Sequence, residues 1–194
     1  EPGDLLVRAL VDHGVREVFA LSGGPLDPIF QACANHGVRI IDTRHEAAAV
    51  HMADGYARTS GTPGVAFVTA GPGVTNAITG VANAYMDAIP LICIAGRSPM
   101  RDDDHLPLQG MDQVALMAPI TKFARTVLQP ERIAEYLVMA WRQATSGRPG
   151  PVSDKCHEPE RWQQLAQELL VERGHPGRFE EPGREGTCDP CDRI

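Results

Sequence analysis

Residues 64–96 read GVAFVTAGPGVTNAITGVANAYMDAIPLICIAG, and the reading of this stretch decides the fold. The apolar run at 65–69 predicts a strand. Ala70, Gly71, Pro72 and Gly73 turn the chain, and a helix follows from about Val74 to Met86. The next run, residues 91–95, is apolar without alternation, the mark of a strand buried on both faces. Strand, helix and strand at this spacing make a parallel crossover unit.

The same alternation extends towards the N-terminus. Asp4 is placed to cap a helix carrying Leu5, Leu6, Ala9, Leu10 and Val11, which Gly14 closes. Residues 15–21 read as a strand and residues 22–25 as a turn; Asp27-Pro28 opens a second helix that Gly37 ends. A buried strand is expected at 38–42 and an alanine-rich helix at 46–60. The fold class is therefore α/β: a doubly wound, mainly parallel sheet with helices on both faces. It is expected to occupy residues 1–152, with an irregular, loosely ordered tail at 153–194. One short helix-like patch, at 162–171, interrupts that tail. Ligands gather at the carboxyl ends of strands in such sheets. Three stretches lie there: 22–25, 44–46 and 69–73.

Composition narrows the function. The 194 residues carry a formal charge of −7, which argues against a nucleic-acid partner. No apolar run approaches the ~20 residues of a membrane-spanning helix, and no signal peptide is visible. Five cysteines at irregular spacing do not form a disulfide framework, and Cys33 and Cys93 read as core thiols. A reducing cytoplasm is the expected compartment. The C-D-P-C at 188–191, even with Cys156-His157 upstream, is too little for a zinc site, so no metal ligand is assigned.

Glu46 poses the sharpest chemical question. It ends a strand-like run and opens a helix of Ala47, Ala48, Ala49 and Val50, where a carboxylate is expected to be enclosed. Taken alone, it reads as a first-turn carboxylate facing the helix dipole. His45 and His51 read as ordinary surface or core histidines, and Gln109 and Asp112 as solvent-facing loop residues. The glycine loop at 69–76 offers outward backbone N–H groups. It is not the dinucleotide fingerprint, because Asn76 stands where the third glycine would be, and no Walker lysine follows.

Four stretches, taken together, tip the balance: 40–58 (IIDTRHEAAAVHMADGYAR), 64–96, 108–127 (LQGMDQVALMAPITKFARTV) and 144–152 (ATSGRPGPV). In order and spacing the chain resembles the N-terminal pyrimidine-binding domain of thiamine-diphosphate enzymes of the acetolactate synthase and benzaldehyde lyase group. The resemblance implies that Glu46 hydrogen-bonds N1′ of the cofactor's aminopyrimidine. A carboxyl taken out of water gives or shares a proton readily. Protonation at N1′ favours the imino tautomer that removes the thiazolium C2 proton, so the cofactor can attack a 2-keto acid and act as electron sink. It also implies that Thr69, Gly71, Pro72, Gly73 and Asn76 border the aminopyrimidine and that Gly23 and Gly24 face the substrate. Gln109 would lie near the reacting carbon. Benzaldehyde lyases carry a histidine at Pro25, so the chain leans towards the synthases. Arg148 resembles an arginine that contacts FAD in some synthases, though FAD is expected only in a full-length parent.

The departures are equally informative. The domain that holds Mg2+ and the diphosphate is missing from this sequence, so the chain is expected to be catalytically incomplete alone. After Pro151-Val152 the family continues an apolar strand, whereas this chain has Ser153, Asp154, Lys155, Cys156, His157 and Glu158. That set is expected not to form a buried strand, and a change of reading frame is a plausible origin. The family's active site lies between subunits, so a homo-oligomer or pairing with a complementary domain is expected. The alternative function is a non-catalytic interaction module that pairs with a full-length relative.

Overall fold

The computed structural model describes residues 2–97, 105 and 107–156. Twelve elements follow in order: α1 (Pro2–Asp12), β1 (Glu17–Ala20), α2 (Asp27–Asn35), β2 (Arg39–Asp42), α3 (Glu46–Ser60) and β3 (Gly64–Val68), then α4 (Pro72–Met86), β4 (Leu91–Ala95), α5 (Gln113–Met117), β5 (Phe123–Val127), α6 (Ile133–Thr145) and β6 (Pro151–Cys156). The strands form one six-stranded sheet in the order β2-β1-β3-β4-β6-β5, parallel throughout. The expected doubly wound α/β fold is present.

Strand periodicity sorts the core into two layers. Val18, Val65, Phe67, Ile92, Ile94 and Val152 face Leu6 and Leu10 of α1, Ile29 and Cys33 of α2, and Leu137 and Ala140 of α6. Phe19, Ala66, Val68, Cys93 and Ala95 face Ala49, Val50 and Ala53 of α3, Val74, Ala77 and Val81 of α4, and Met117. Cys33 and Cys93 are buried as expected, and burial pushes both thiols up to about 12.

Small residues let α3 approach the sheet and α4 closely. A Cβ on Gly64 would stand 2.0 Å from the Ala53 carbonyl oxygen, and one on Gly80 would stand 2.7 Å from Val50 Cγ1. Arg58 of α3 pairs with Asp54 on its own helix at 3.0 Å and with Asp87 after α4 at 2.6 Å. Helix α3 is thereby held against the sheet and α4 along its middle and at its C-terminal end.

Several local expectations are corrected. Asp4 lies within the first turn of α1, not at its cap, and its Oδ1 is 3.3 Å from His36 Nε2. A 3-10 turn (Gly24–Leu26) precedes α2, so Leu26 and not Asp27 is the cap residue. Strand β2 is a half-exposed edge strand, because among the described residues it pairs with β1 alone.

The largest correction concerns residues 153–156. They form a buried strand, with Ser153, Asp154 and Lys155 at 6%, 3% and 7% exposure. The reason is position. β6 fills the slot between β4 and β5 and is paired on both sides, with Asp154 opposite Ile94 and Arg125. Leaving that slot empty would strip a ladder from two strands at about 1 kcal/mol per bond. Asp154 carries the cost, since its Oδ1 is buried without a hydrogen-bond partner and desolvation raises its pKa from 3.8 to about 7. The helix-like patch at 162–171 and the C-D-P-C pair lie outside the described residues. Among the described residues no helix is long and apolar enough to cross a membrane.

Candidate functional site

Strand order places a crevice between β1 and β3. From β1 the chain moves outward to β2 and then returns on the other side, so β1 and β3 flank the point where the winding reverses. The loops that leave their carboxyl ends diverge there. The turn after β1 carries Gly23, and the loop after β3 carries Thr69 to Gly73. A Cβ on Gly23 would lie 2.5 Å from Thr69 Oγ1, so only glycine permits the two to meet.

Glu46 enters the same crevice as the first residue of α3. Its helix is started by His45, whose Nδ1 accepts from the Ala47 N–H at 3.2 Å. Thr43 tethers the approach to β1 by donating from its hydroxyl to the Ala20 carbonyl at 3.0 Å. Glu46 is only 5% exposed. Its Oε2 accepts from Asn76 Nδ2 at 2.9 Å, linking the first turns of α3 and α4. Its Oε1 lies 3.2 Å from where a Cβ on Gly73 would stand, and that Cβ would be 2.7 Å from Thr69 Cγ2. Bare backbone at Gly73 therefore keeps one face of the carboxylate uncovered.

Gly71 completes the loop with φ +55° and ψ −105°, a conformation costly for any residue with a side chain. A Cβ there would strike the Gln109 carbonyl oxygen at 2.6 Å. Gln109 itself has φ +64°, one of two non-glycine residues with positive φ among those described. Such strain persists where the surroundings impose it, often at ligand sites. Pro72 opens α4, where its missing N–H costs nothing.

The structure thus brings together Gly23, Glu46, Thr69, Gly71, Gly73, Asn76 and, through its backbone, Gln109. Gly24 is different: it is exposed, and the position of its missing Cβ faces open space. His45 is a helix cap and His51 an exposed residue. Asp112 is also structural, its Oδ1 accepting from the Ala115 N–H at 3.0 Å to cap α5. Arg148 donates to the Met86 carbonyl at 2.8 Å and so closes the end of α4. No group of His, Cys, Asp or Glu among the described residues is arranged to hold a metal.

Beyond the loop that carries Gln109, a cavity of about 350 Å³ opens over the ends of β4, β5 and β6. Arg97, Gly110, Asp112, Thr126 and Lys155 line it. The sequence reading also missed Gln113. It is 3% exposed, and its amide spans the loops after β3 and β4. A glutamine in the first turn of a short helix carries no signal that would single it out.

Comparison with known proteins identifies the family. Residues 1–116 match the family described as thiamine pyrophosphate enzyme, N-terminal TPP binding domain. The 2-hydroxyacyl-CoA lyase 2 of Danio rerio is 47% identical over 150 residues, covering 77% of this chain and 24% of that protein. The acetolactate synthase isozyme 3 large subunit of Escherichia coli (strain K12) is 47% identical over 152 residues, covering 77% and 26%. A probable acetolactate synthase large subunit of Methanocaldococcus jannaschii is 42% identical over 149 residues, covering 77% and 25%. The chain spans about a quarter of the length of these relatives.

Proposed function

Because the chain belongs to the family of thiamine pyrophosphate enzyme N-terminal domains, we propose that the crevice around Glu46 receives the aminopyrimidine of thiamine diphosphate. The observation that carries this reading is the buried Glu46 carboxylate, with Oε2 held by Asn76 and Oε1 beside the bare backbone of Gly73. Asn76 bonds Oε2, which suits a carboxyl whose other oxygen must exchange a proton with a ring nitrogen.

Each residue then has a task. Glu46 holds or moves the proton at N1′. Asn76 fixes the carboxylate plane by occupying the other oxygen. Thr69, Gly71, Pro72 and Gly73 form the wall against which a flat ring can lie, and Gly23 admits Thr69 to that wall. Gln109 and Gly24 stand on the side from which substrate approaches. When bound, the cofactor supplies a nucleophilic carbon that adds to a carbonyl and takes up the electrons of the broken bond.

The parent reaction in this reading is decarboxylation of a 2-keto acid and carboligation of the resulting acyl unit. The equal identity to a 2-hydroxyacyl-CoA lyase brings cleavage of a 2-hydroxyacyl thioester within the same chemistry. Mg2+ and the diphosphate would be held by a domain other than this one. FAD would enter only in a longer parent. Self-association, or pairing with a complementary domain, belongs to the reading because the groups that hold Mg2+ and the diphosphate would come from elsewhere. The buried thiols fit a reducing, cytoplasmic setting.

Titration of the ¹⁵N-labelled chain with millimolar thiamine diphosphate and Mg2+ tests the proposal. Saturable shifts at the Gly73 and Asn76 amides, weakened about tenfold by Glu46→Gln, are expected. A wild-type chain that shows no such shifts, or a variant that binds as well, would refute it.

A further inference from the structure

We propose that Gln113 is the positioning residue of this site: its side-chain amide clamps the loop after β3 to the loop after β4 and so sets where Gly71 and Gly73 stand. The clamp is read from geometry alone, while its effect on ligand binding rests on the thiamine diphosphate reading above.

The amide can use both of its ends. Its terminal atoms lie 2.9 Å from the Gly71 nitrogen and 3.2 Å from the Gly96 carbonyl oxygen, and the O/N orientation that satisfies both neighbours has the oxygen accepting from the Gly71 N–H and the nitrogen donating to the Gly96 carbonyl. The side chain is 3% exposed, so water does not compete for either bond. The helix that presents it is fixed at both ends. Asp112 caps the first turn, and Met117, 1% exposed, is anchored in the core.

The two bonds reach further than the residues that make them. Gly71 holds an unfavourable backbone conformation, and the next residue, Pro72, has no N–H with which to secure it. The Gly71 carbonyl accepts from the Val74 N–H at 2.9 Å, so its orientation sets the start of α4. Gly73, two residues on, is the backbone that faces Glu46 Oε1. At the other end, the Gly96 N–H donates to the Val68 carbonyl at 3.0 Å. The missing Cβ of Gly96 would lie 2.7 Å from Pro25 Cβ, in the turn after β1. One amide therefore ties together two of the loops that leave the carboxyl ends of the sheet, and the turn after β1 packs against one of them at Gly96.

Two substitutions separate this role from packing. Gln113→Met keeps the length and the apolar stem but makes neither bond. Gln113→Glu keeps the shape: as a neutral acid it can donate to Gly96 and accept from Gly71, but as a carboxylate it faces the Gly96 carbonyl with like charge. Hydrogen exchange read by NMR, as protection factors corrected for intrinsic rate, reports the Gly71 N–H directly. In Gln113→Met, protection at Gly71 is expected to fall about tenfold while Ala66 and Ile92 keep theirs, and thiamine diphosphate affinity falls about tenfold. In Gln113→Glu, Gly71 protection is expected to rise as the pH is lowered and the carboxyl takes up its proton, a pH dependence that wild type lacks. Unchanged Gly71 protection in Gln113→Met would overturn the clamp. Lost protection with affinity within twofold of wild type would overturn the positioning role. If wild type binds no thiamine diphosphate, the ligand reading falls, and the clamp then stands or falls on Gly71 protection. If Glu46→Gln loses binding while keeping Gly71 protection, the two residues act separately, as proposed.

Discussion

Replacing Asp154 by valine should stabilise this protein, by an amount that depends on pH. Asp154 sits in the middle of β6 at 3% exposure, between Ile94 and Arg125 in register. Arg125 does not neutralise it, because its guanidinium lies over the Phe123 ring, 5.5 Å from the centroid. Burial raises the carboxyl from 3.8 to about 7. The folded chain therefore binds more protons than the unfolded chain between those two values, and its stability falls as the pH rises through that window. About three pH units at 1.36 kcal/mol each give a penalty of about 4 kcal/mol that is complete above pH ~7 and absent below pH ~4. Valine carries no such penalty and suits a strand buried on both faces. Urea unfolding of both proteins at a series of pH values from about 4 to 8 is the assay. The advantage of Asp154→Val should reach about 4 kcal/mol or more near pH 7.5. Near pH 4 it should shrink to the ~1–3 kcal/mol cost of an unbonded neutral carboxyl. Identical pH slopes for the two proteins, or a less stable valine variant, would refute the reasoning.

Three further outcomes are expected. Gly73→Ala should cost ~1–3 kcal/mol by overpacking against Thr69 and should abolish ligand-induced shifts at Asn76; a variant that binds like wild type would contradict the cradle. Native-state trypsin should leave the Lys155 bond intact while the domain stays folded, since that residue is 7% exposed and paired on both sides; early cleavage there, mapped by mass spectrometry, would place the end of the sheet before β6. The isolated chain with pyruvate, Mg2+ and thiamine diphosphate should release no carbon dioxide, and turnover abolished by Glu46→Gln would show that the chain is complete in itself.

Local chemistry made much of the domain legible without coordinates. Apolar runs of strand length, separated by helices that end at Gly14, Gly37 and Gly61, determine the α/β alternation, because side-chain period and backbone permissiveness are properties of neighbouring residues. Residues 91–95 announce a strand covered on both faces, and the structure covers them. Glu46 stands out for a similar reason: a carboxylate set among alanines contradicts its own surroundings. What depended on the third dimension was decided elsewhere. Arg39 to Asp42 became an edge strand because no further strand among the described residues pairs beyond it, which periodicity cannot report. Ser153 to Cys156 became a strand against their own composition because β4 and β5 leave a slot whose two ladders outweigh the burial of Asp154. Gln113 became a clamp because the loops bearing Gly71 and Gly96 arrive on either side of its amide. The contacts that decide all three come from residues distant in sequence, and a local pattern holds no record of them.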